Sequence, residues 1–460
     1  MSGLLVMKFG GTSMGSAERI RVAAELIQEQ ARVRPVLVVV SAMSKVTDLL
    51  LDAMKHAEAR DSVGLAQAVA KIRAKHLEAV EGLGLGSEAF QAIEDLVGEF
   101  QRLVGGMLML GERPARSVDE AVAIGERLSA LLLARFLGHQ ATAVNSAELI
   151  VTDSVFGNAS PFLDQTAVKA KAVLLPLLAA SKIPIATGFN GATVDGRGTT
   201  LGRGGSDFSA SILSAALDAE ELWIWTDVDG IMTADPRLVP DARVLEEVSF
   251  SEAAELAYNG AKVLHPRTLS PLVEKHIPVW SKNSFAPEKP GTRIVPQLSV
   301  SRGARAVTSM RDVALISIEP AHAALSGAQV LARTMDALSR ANVEVLTISA
   351  SSYRQSFCFL VRDDELARTL ETLEAGLALE LTHGYVSPLI IDREVGLLAV
   401  VGEGMRGTQG LAGRIFTAIS RENVNIMAIA QGSSELTIAI IVRRSGLEKA
   451  VRAVHAECHL

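Results

Sequence analysis

The sequence predicts an α/β chain, a mainly parallel sheet between helical layers, followed by two small α+β modules. Three observations carry this expectation. Leu4, Leu5 and Val6 run into Met7-Lys8-Phe9-Gly10-Gly11-Thr12-Ser13, and residues 17–30 then place Ile20, Ala23, Ala24 and Ile27 at helical spacing, so the chain opens as strand, glycine turn and helix. Val36-Leu37-Val38-Val39-Val40 is a continuous apolar run, the signature of a parallel strand covered on both faces. Beyond residue 304, Ala337-Leu338-Ser339-Arg340-Ala341-Asn342-Val343 recurs as Ala418-Ile419-Ser420-Arg421-Glu422-Asn423-Val424, each copy in the order strand, helix, strand, strand, helix.

Composition narrows the function. A chain of 460 residues, 48% of them hydrophobic, has material for several cores, and a net charge of −7 argues against general nucleic-acid binding. No apolar run reaches membrane-spanning length and the N-terminus lacks the layout of a signal peptide, so a cytoplasmic protein with no membrane partner is expected. Cys358 and Cys458 show no CxxC spacing and predict incidental thiols of a reducing compartment, not a disulfide or a zinc site.

Taken in order, the first stretch outlines an anion site. Gly10 and Gly11 let backbone N–H groups approach a negative charge, the next helix adds its positive end, and Lys8 on the strand aims an ammonium at the same place. The Walker pattern is absent, so this is not a P-loop. Ser41 lies just past the second strand, where open α/β sheets bind ligands. Residues 47–104 read as helical, broken at Gly82-Leu83-Gly84-Leu85-Gly86, a linker because no strand precedes it. Ser117-Val118-Asp119-Glu120 has capping-box spacing and predicts a helix to about Phe136. Gly125 inside that helix costs about 1 kcal/mol against alanine, so something must approach its face closely. Glu126 is then the polar group there, or else a solvated helix carboxylate.

Residues 143–151 and 183–187 read as strands, the second ending in Gly188-Phe189-Asn190-Gly191. The densest stretch follows, Thr199-Thr200-Leu201-Gly202-Arg203-Gly204-Gly205-Ser206-Asp207, with Ser206 expected to cap a helix over 207–217. Arg203 on a glycine loop suits a bidentate grip on a carboxylate or a phosphate. Residues 222–225 form a strand leading into Thr226-Asp227-Val228-Asp229-Gly230 and Asp235-Pro236-Arg237, carboxylates that suit a ribose, magnesium or phosphate-site lysines. Lys262 in Gly260-Ala261-Lys262-Val263-Leu264-His265-Pro266 is a second candidate cation, and His265 reads as structural. Residues 277–280 are expected as the last strand of this part, with Pro287 and Pro290 marking its boundary.

The repeat predicts strands at 313–318, 343–348 and 357–361 around a helix at 330–340, then at 397–401, 424–429 and 436–442 around a helix at 410–421. Each copy has an exposed sheet edge and a small core, so the pair should stack on each other or on another subunit.

With these residues laid out, the chain resembles the aspartate kinases from end to end. The first part is similar to the amino-acid kinase superfamily through Lys8-Phe9-Gly10-Gly11-Thr12-Ser13, Gly125-Glu126-Arg127, Gly188-Phe189, Gly202-Arg203-Gly204-Gly205-Ser206-Asp207, Thr226-Asp227-Val228-Asp229-Gly230 and Gly260-Ala261-Lys262-Val263. The repeat resembles tandem ACT domains, βαββαβ modules that bind amino-acid effectors. Its wording, notably Val400-Val401-Gly402-Glu403-Gly404-Met405-Arg406-Gly407 and Ala430-Gln431-Gly432-Ser433-Ser434-Glu435, is similar to kinases fused to homoserine dehydrogenase. The resemblance implies a kinase domain over 1–298 and ACT domains over 306–388 and 389–460.

It also implies phosphorylation of the side-chain carboxylate of L-aspartate by ATP with Mg²⁺, opening lysine, threonine and methionine synthesis. On this resemblance Lys8 and Asp207 are catalytic, and Ser41, Glu126, Phe189, Arg203 and Ser206 bind the amino acid. Lys8, Gly10, Gly11, Thr226, Asp227, Asp229, Met232, Arg237 and Lys262 serve ATP, with no metal held by protein ligands. Met232 stands where relatives carry a tyrosine. An effector site between subunits of a homodimer or higher homo-oligomer would use Ser326, Gly327, Val345 and Ser351. Threonine is favoured over lysine: the aspartate of lysine sensors is replaced in Val343-Glu344-Val345-Leu346, where Glu344 shares a strand face with Leu346 and could still substitute, and Ser349-Ala350-Ser351-Ser352 offers hydroxyls better suited to threonine. The rivals are a glutamate, N-acetylglutamate or carbamate kinase and a catalytically silent amino-acid sensor.

Overall fold

A computed structural model describes residues 3–261, 264, 266–298, 303–321, 326–352 and 355–460. They form two compact units, one of Met1–Ile231, Glu246–Phe250 and Leu264–Gln297, the other of Met232–Leu245, Ser251–Val263 and Leu298–Leu460. The strands of the first are β1 (Leu5–Phe9), β2 (Val36–Val40), β3 (Ala141–Val144), β4 (Val151–Thr152), β5 (Ile183–Thr187), β6 (Asn190–Thr193), β7 (Gly198–Thr200), β8 (Glu221–Thr226), β9 (Glu247–Ser249), β10 (Val279–Asn283) and β11 (Thr292–Val295). Eight of them make one sheet in the order β3-β5-β2-β1-β8-β10-β11-β9, and β4, β6 and β7 make a small second sheet. The large sheet is parallel from β3 to β10, and β10–β11 is the antiparallel pair in it.

The helices are α1 (Ala17–Ala31), α2 (Val46–Glu58), α3 (Ser62–Leu83), α4 (Ser87–Leu110), α5 (Ala115–Val122), α6 (Ile124–Leu137), α7 (Leu163–Ala179), α8 (Gly205–Ala216), α9 (Phe250–Tyr258) and α10 (Pro266–Lys275). Ile20, Ala23, Ala24 and Ile27 of α1 are buried, as their spacing requires, and β2 is buried along its whole length. Leu5, Met7 and Phe9 enter the main core with α1–α4 and α6, while Lys8, one residue out of phase, points to the opposite face. The glycine run after α3 is a tight connection, with Gly84 capping α3 in the left-handed region and Gly86 preceding α4.

Several boundaries differ from expectation. The helix containing Asp119 starts at Ala115 after Pro114, so Ser117 lies inside α5 and caps nothing, and the chain bends at Ala123 before α6. Ser206 is likewise inside α8, whose N-cap is Gly204 in the left-handed region. Residues 143–151 do not stay in one strand: Asn145 caps a short 3-10 turn over Ser146–Glu148, and β4 enters the other sheet. The last strand of the sheet in sequence is β11, because Pro287 and Pro290 lie between β10 and its antiparallel partner.

In the second unit, β12 (Ala306–Met310), β13 (Val313–Ile318), α11 (Gly327–Arg340), β14 (Thr347–Ala350), β15 (Phe357–Arg362), α12 (Leu366–Gly376), α13 (Ala378–Thr382) and β16 (Ile390–Asp392) precede β17 (Val395–Val401), α14 (Leu411–Arg421), β18 (Ile426–Gln431), β19 (Thr437–Arg443) and α15 (Leu447–Glu457). The sheets run β14-β15-β13-β16 and β12-β17-β19-β18. The two modules therefore exchange strands: β12 at the head of the first repeat pairs with β17, and β16 at the head of the second pairs with β13. The repeat could not reveal this, since the exchanged strands flank the repeated text. The faces away from the helices meet through Leu315 and Leu360 on one side and Leu397, Ala439 and Ile441 on the other, so the modules stack on each other.

Two segments from within residues 1–298 belong to this unit. Ala234 and Val239 enter the core of the second module, and Thr233 is hydrogen-bonded to His455 of α15 at 2.9 Å. Glu252 accepts the Glu403 amide at 2.9 Å and Glu255 the Thr437 hydroxyl at 2.8 Å.

Phe359 is fully buried in the first module, whereas Ile348 on β14 is 40% exposed. Phe359→Ala is expected to cost about 3–5 kcal/mol in denaturant titrations and Ile348→Ala less than about 0.5 kcal/mol. Equal losses would refute this placement of the core.

Candidate active site

Parallel β1, β2, β5 and β8 all end on one side of the sheet, and the segments leaving β1, β2 and β5, with Glu126 of α6 and the turn into α8, build a cavity of about 590 Å³. Lys8, Gly11, Ser41, Glu126, Phe189, Arg203, Ser206 and Asp207 line it. Residues far apart in sequence converge there because a parallel sheet delivers each strand's C-terminal end to the same edge.

Lys8 is 7% exposed and its Nζ lies 2.6 Å from Asp207 Oδ1. Asp207 sits in the first turn of α8, where the helix end favours an anion. The Gly10 amide donates to the Trp225 carbonyl at 3.1 Å, so of the two glycines it is Gly11 that faces the cavity. Ser13 extends this anchoring of the turn, 2.8 Å from the Ser284 hydroxyl beyond β10.

Glu126 is 3% exposed at the start of α6. Its Oε1 accepts the Ala42 amide at 3.2 Å and its Oε2 has no hydrogen-bond partner among the described residues. Burial pushes its carboxyl up to about 8, opposed by the Ala42 amide and the charge of Lys8. Gly125 explains the approach: a Cβ there would lie 3.0 Å from Ala42 Cβ and 3.1 Å from Leu50 Cδ1. The expected close contact on that face is the segment following β2.

Arg203 is exposed at the cavity rim, between Gly202 at φ +77° and Gly204 at φ +70°. Phe189 also has positive φ, at 72°, and its amide donates to the Ser209 hydroxyl at 2.9 Å. Sequence reasoning missed the segment over residues 42–48, the turn after β2 and the first turn of α2, from which Ser44, Lys45, Thr47 and Asp48 line the same cavity. Its signal was present, polar residues directly after a buried parallel strand, and Lys45 adopts φ 65° there.

Of the nucleotide candidates, Lys8 and Gly11 line this cavity, whereas Thr226, Asp227, Asp229, Met232 and Arg237 do not. Thr226 ends β8 and bonds Asp227, while Asp229 is held by Asn283 and Lys289, each at 2.6 Å. Met232 bridges to Val244 in the second unit, and Arg237 pairs with Asp235 at 2.6 Å. Lys262 and His265 lie outside the described residues. Among the described residues no cluster of three or more His, Cys, Asp or Glu is placed to hold a metal, and no helix is long and apolar enough to cross a membrane.

Of the effector candidates, Ser326 and Gln329 form a reciprocal capping box on α11, Gly327 is buried behind them, and the Ser351 amide donates to Ser356 at 2.8 Å. The strand after α11 begins only at Thr347, so residues 343–346 are an irregular lead-in. Val345 and Leu346 still face opposite cores there, but Glu344 is engaged by Arg362 at 3.5 Å.

Comparisons with known proteins agree with this architecture. The amino acid kinase family profile matches residues 3–283 and an ACT domain profile matches residues 398–458. The bifunctional aspartokinase/homoserine dehydrogenase 1 of Arabidopsis thaliana chloroplasts is 35% identical over 99% of the chain and 51% of its own length, so the chain spans about half of that relative. The aspartokinase of Schizosaccharomyces pombe is 30% identical over 99% of the chain and 92% of its own length. Escherichia coli aspartokinase III solved with aspartate and ADP superposes at TM-score 0.85 with 31% identity, covering 99% of this chain and all of that one. Its form with lysine and aspartate superposes at 0.81, with 30% identity and the same coverage. The chain belongs to the amino acid kinase family and, within it, to the aspartokinases.

Proposed function

We propose that this chain transfers the γ-phosphoryl group of magnesium-ATP to the side-chain carboxylate of L-aspartate, giving 4-phospho-L-aspartate and ADP. The observation that carries the reading is one cavity holding a buried ammonium, a guanidinium fork and a buried carboxylate with an unpartnered oxygen. Arg203 grips the α-carboxylate bidentately and Glu126 meets the α-ammonium, so the side-chain carboxylate is aimed at the phosphorus. A carboxylate oxygen forms the new bond to phosphorus as the bond to the ADP oxygen breaks, and no general base is needed because the nucleophile is already ionised. Lys8, held by Asp207, neutralises charge on the phosphoryl oxygens, assisted by the Gly11 amide. Magnesium arrives on the phosphates as part of the nucleotide substrate, and Thr226, Asp227, Asp229, Met232, Arg237 and Lys262 serve that end.

A free amino acid is favoured over an acylated one because an N-acetyl group leaves Glu126 Oε2 without a cation, and a buried unpaired polar atom is costly. A silent sensor is disfavoured by the intact pairing of Lys8 with Asp207. The chain works as a homodimer or higher homo-oligomer, with an amino-acid effector at the first module. Threonine is favoured over lysine, since the Glu344 carboxylate is engaged by Arg362 and the Ser349–Ser352 end of β14 offers hydroxyls.

An aspartate-hydroxamate assay with magnesium-ATP tests the activity. Lys8→Ala is expected to lower kcat by about two to three powers of ten with an unchanged circular dichroism spectrum; activity within about threefold of wild type would sink the role of Lys8. Glu126 sets a pH dependence. Below its pKa of about 8 the carboxyl is neutral and cannot pair with an ammonium, and above it the anion binds. The kcat/KM for aspartate should therefore rise about tenfold per pH unit from pH 6 towards 8 and level off above, and Glu126→Gln should flatten the profile at a low value. A flat wild-type profile contradicts this role. Titration of threonine and lysine against kinase activity is expected to show inhibition by threonine; response to millimolar lysine alone overturns the effector assignment.

A further inference from the structure

Arg203 stands on a loop that is anchored from two sides by charged residues with no place in the cavity. Asp119 of α5 is 2% exposed, and all three of its partners are donors: the Gly157 amide at 2.8 Å, the Thr200 amide at 2.9 Å and the Thr200 hydroxyl at 2.8 Å. Arg267 of α10 donates to Asn158 Oδ1 at 2.6 Å, the Ala159 carbonyl at 2.7 Å and the Leu201 carbonyl at 3.2 Å, with its guanidinium 4.8 Å from the Phe208 ring centroid. The two anchored segments are also bonded directly, Ala159 amide to Thr200 carbonyl at 2.8 Å. Gly202 closes the packing: at φ +77° it leaves room for Asn158, whose Oδ1 would lie 2.5 Å from a Cβ at that position.

Neither Asp119 nor Arg267 lines the active cavity, whereas Gly157, Gly202 and Arg203 do. Asp119 instead borders a separate small cavity of about 150 Å³ with Asn145 and Asn190. Both charged side chains therefore act on the site only through the backbone they hold. A guanidinium gripping bidentately needs its own backbone fixed, because a misplacement of about 1 Å at a substrate-positioning group is enough to cost orders of magnitude. The loop carries three glycines between residues 202 and 205 and has little intrinsic rigidity.

We propose that Asp119 and Arg267 are positioning residues for substrate binding, a two-sided clamp that fixes segments 157–159 and 200–202 and so sets the reach of Arg203. The inference rests on the reading of Arg203 as the grip on the aspartate α-carboxylate. It makes Asp119 a geometric element rather than a charge. In Asp119→Asn the amide oxygen takes the place of Oδ2 and keeps both backbone bonds, and the amide nitrogen donates to the Thr200 hydroxyl. In Asp119→Ala the three donors lose their acceptor. Arg267→Lys keeps the charge and loses the fork that reaches three acceptors.

The test is steady-state kinetics on the full chain with L-aspartate and magnesium-ATP varied separately. Asp119→Ala and Arg267→Lys are each expected to raise KM for aspartate about tenfold while KM for ATP stays within about twofold, and Asp119→Asn to restore it to within about threefold of wild type. If Asp119→Ala does not fold, Thr200→Val removes the hydroxyl arm alone and should raise the aspartate KM about threefold. Parallel rises in both KM values, an unchanged aspartate KM, or an Asn variant as impaired as the Ala variant overturns the clamp. Amide hydrogen exchange over residues 199–202 reads the clamp without substrate: it should be faster in Arg267→Lys than in wild type, and equal rates overturn the proposal. A wild-type chain that releases no ADP in response to aspartate overturns the aspartate kinase function, while the exchange measurement still reports on the clamp.

Discussion

The buried ammonium of Lys8 is the constraint around which the first unit is arranged. A cation at 7% exposure is costly unless a counter-charge meets it at close range, and Asp207 does so at 2.6 Å. That contact requires α8 to start where it does, over the face of β1 opposite Leu5, Met7 and Phe9, with its first turn aimed at the strand. The glycines before it follow from the same need, since Gly204 takes a left-handed conformation to turn the chain into the helix. Removing one partner of such a buried pair costs about 3–5 kcal/mol, a loss of stability rather than of the fold itself.

Glu126 applies the same physics in the opposite sense. It is brought into a dry position by the close packing of α6 against the segment after β2, which Gly125 permits. One oxygen is satisfied by the Ala42 amide and the other is not. A carboxyl held this way near neutrality is poised for a cationic ligand: a ligand ammonium supplies the missing partner and shifts the group towards its anion. The cavity thus pairs a carboxylate lacking a cation with an arginine on a braced loop, a complementary pattern for the two charged ends of an amino acid.

In the second unit the organising feature is the exchange of β12 and β16 between the two modules. Each sheet takes an edge strand from the chain stretch leading to the other, so neither module is complete without its neighbour. Stacking through Leu315, Leu360, Leu397 and Ile441 ties them further. Residues 232–245 and 251–261, the first of which carries the nucleotide candidates Met232 and Arg237, cluster with these modules rather than with the large sheet. Thr233 bonded to His455 and Glu255 bonded to Thr437 make that attachment specific.

Local physics made much of this legible in the sequence. The apolar runs of β1, β2 and β5, the amphipathic spacing of α1 and the repeat each follow from short-range patterns, and glycine-rich turns after strands marked Lys8, Phe189, Arg203 and Asp207. Gly125 announced a close approach without saying to what. Hidden from the sequence was everything that depends on long-range pairing. Asp119 read as part of a helix start, yet it bonds Thr200 across a separation of 81 residues. Arg267 was unremarkable beside a proline, and its three acceptors lie more than 60 residues away. The capping assigned to Ser117 and Ser206 failed because Pro114 and Gly204 had already started those helices. The strand exchange was invisible because an edge strand is chosen by which neighbour covers it, not by its own alternation. Short-range pattern was enough for most of the elements, the order of the chemical groups and the resemblance to the family. The tertiary structure alone decided which backbone each charged side chain would hold, because burial and hydrogen-bond geometry are properties of the assembled fold.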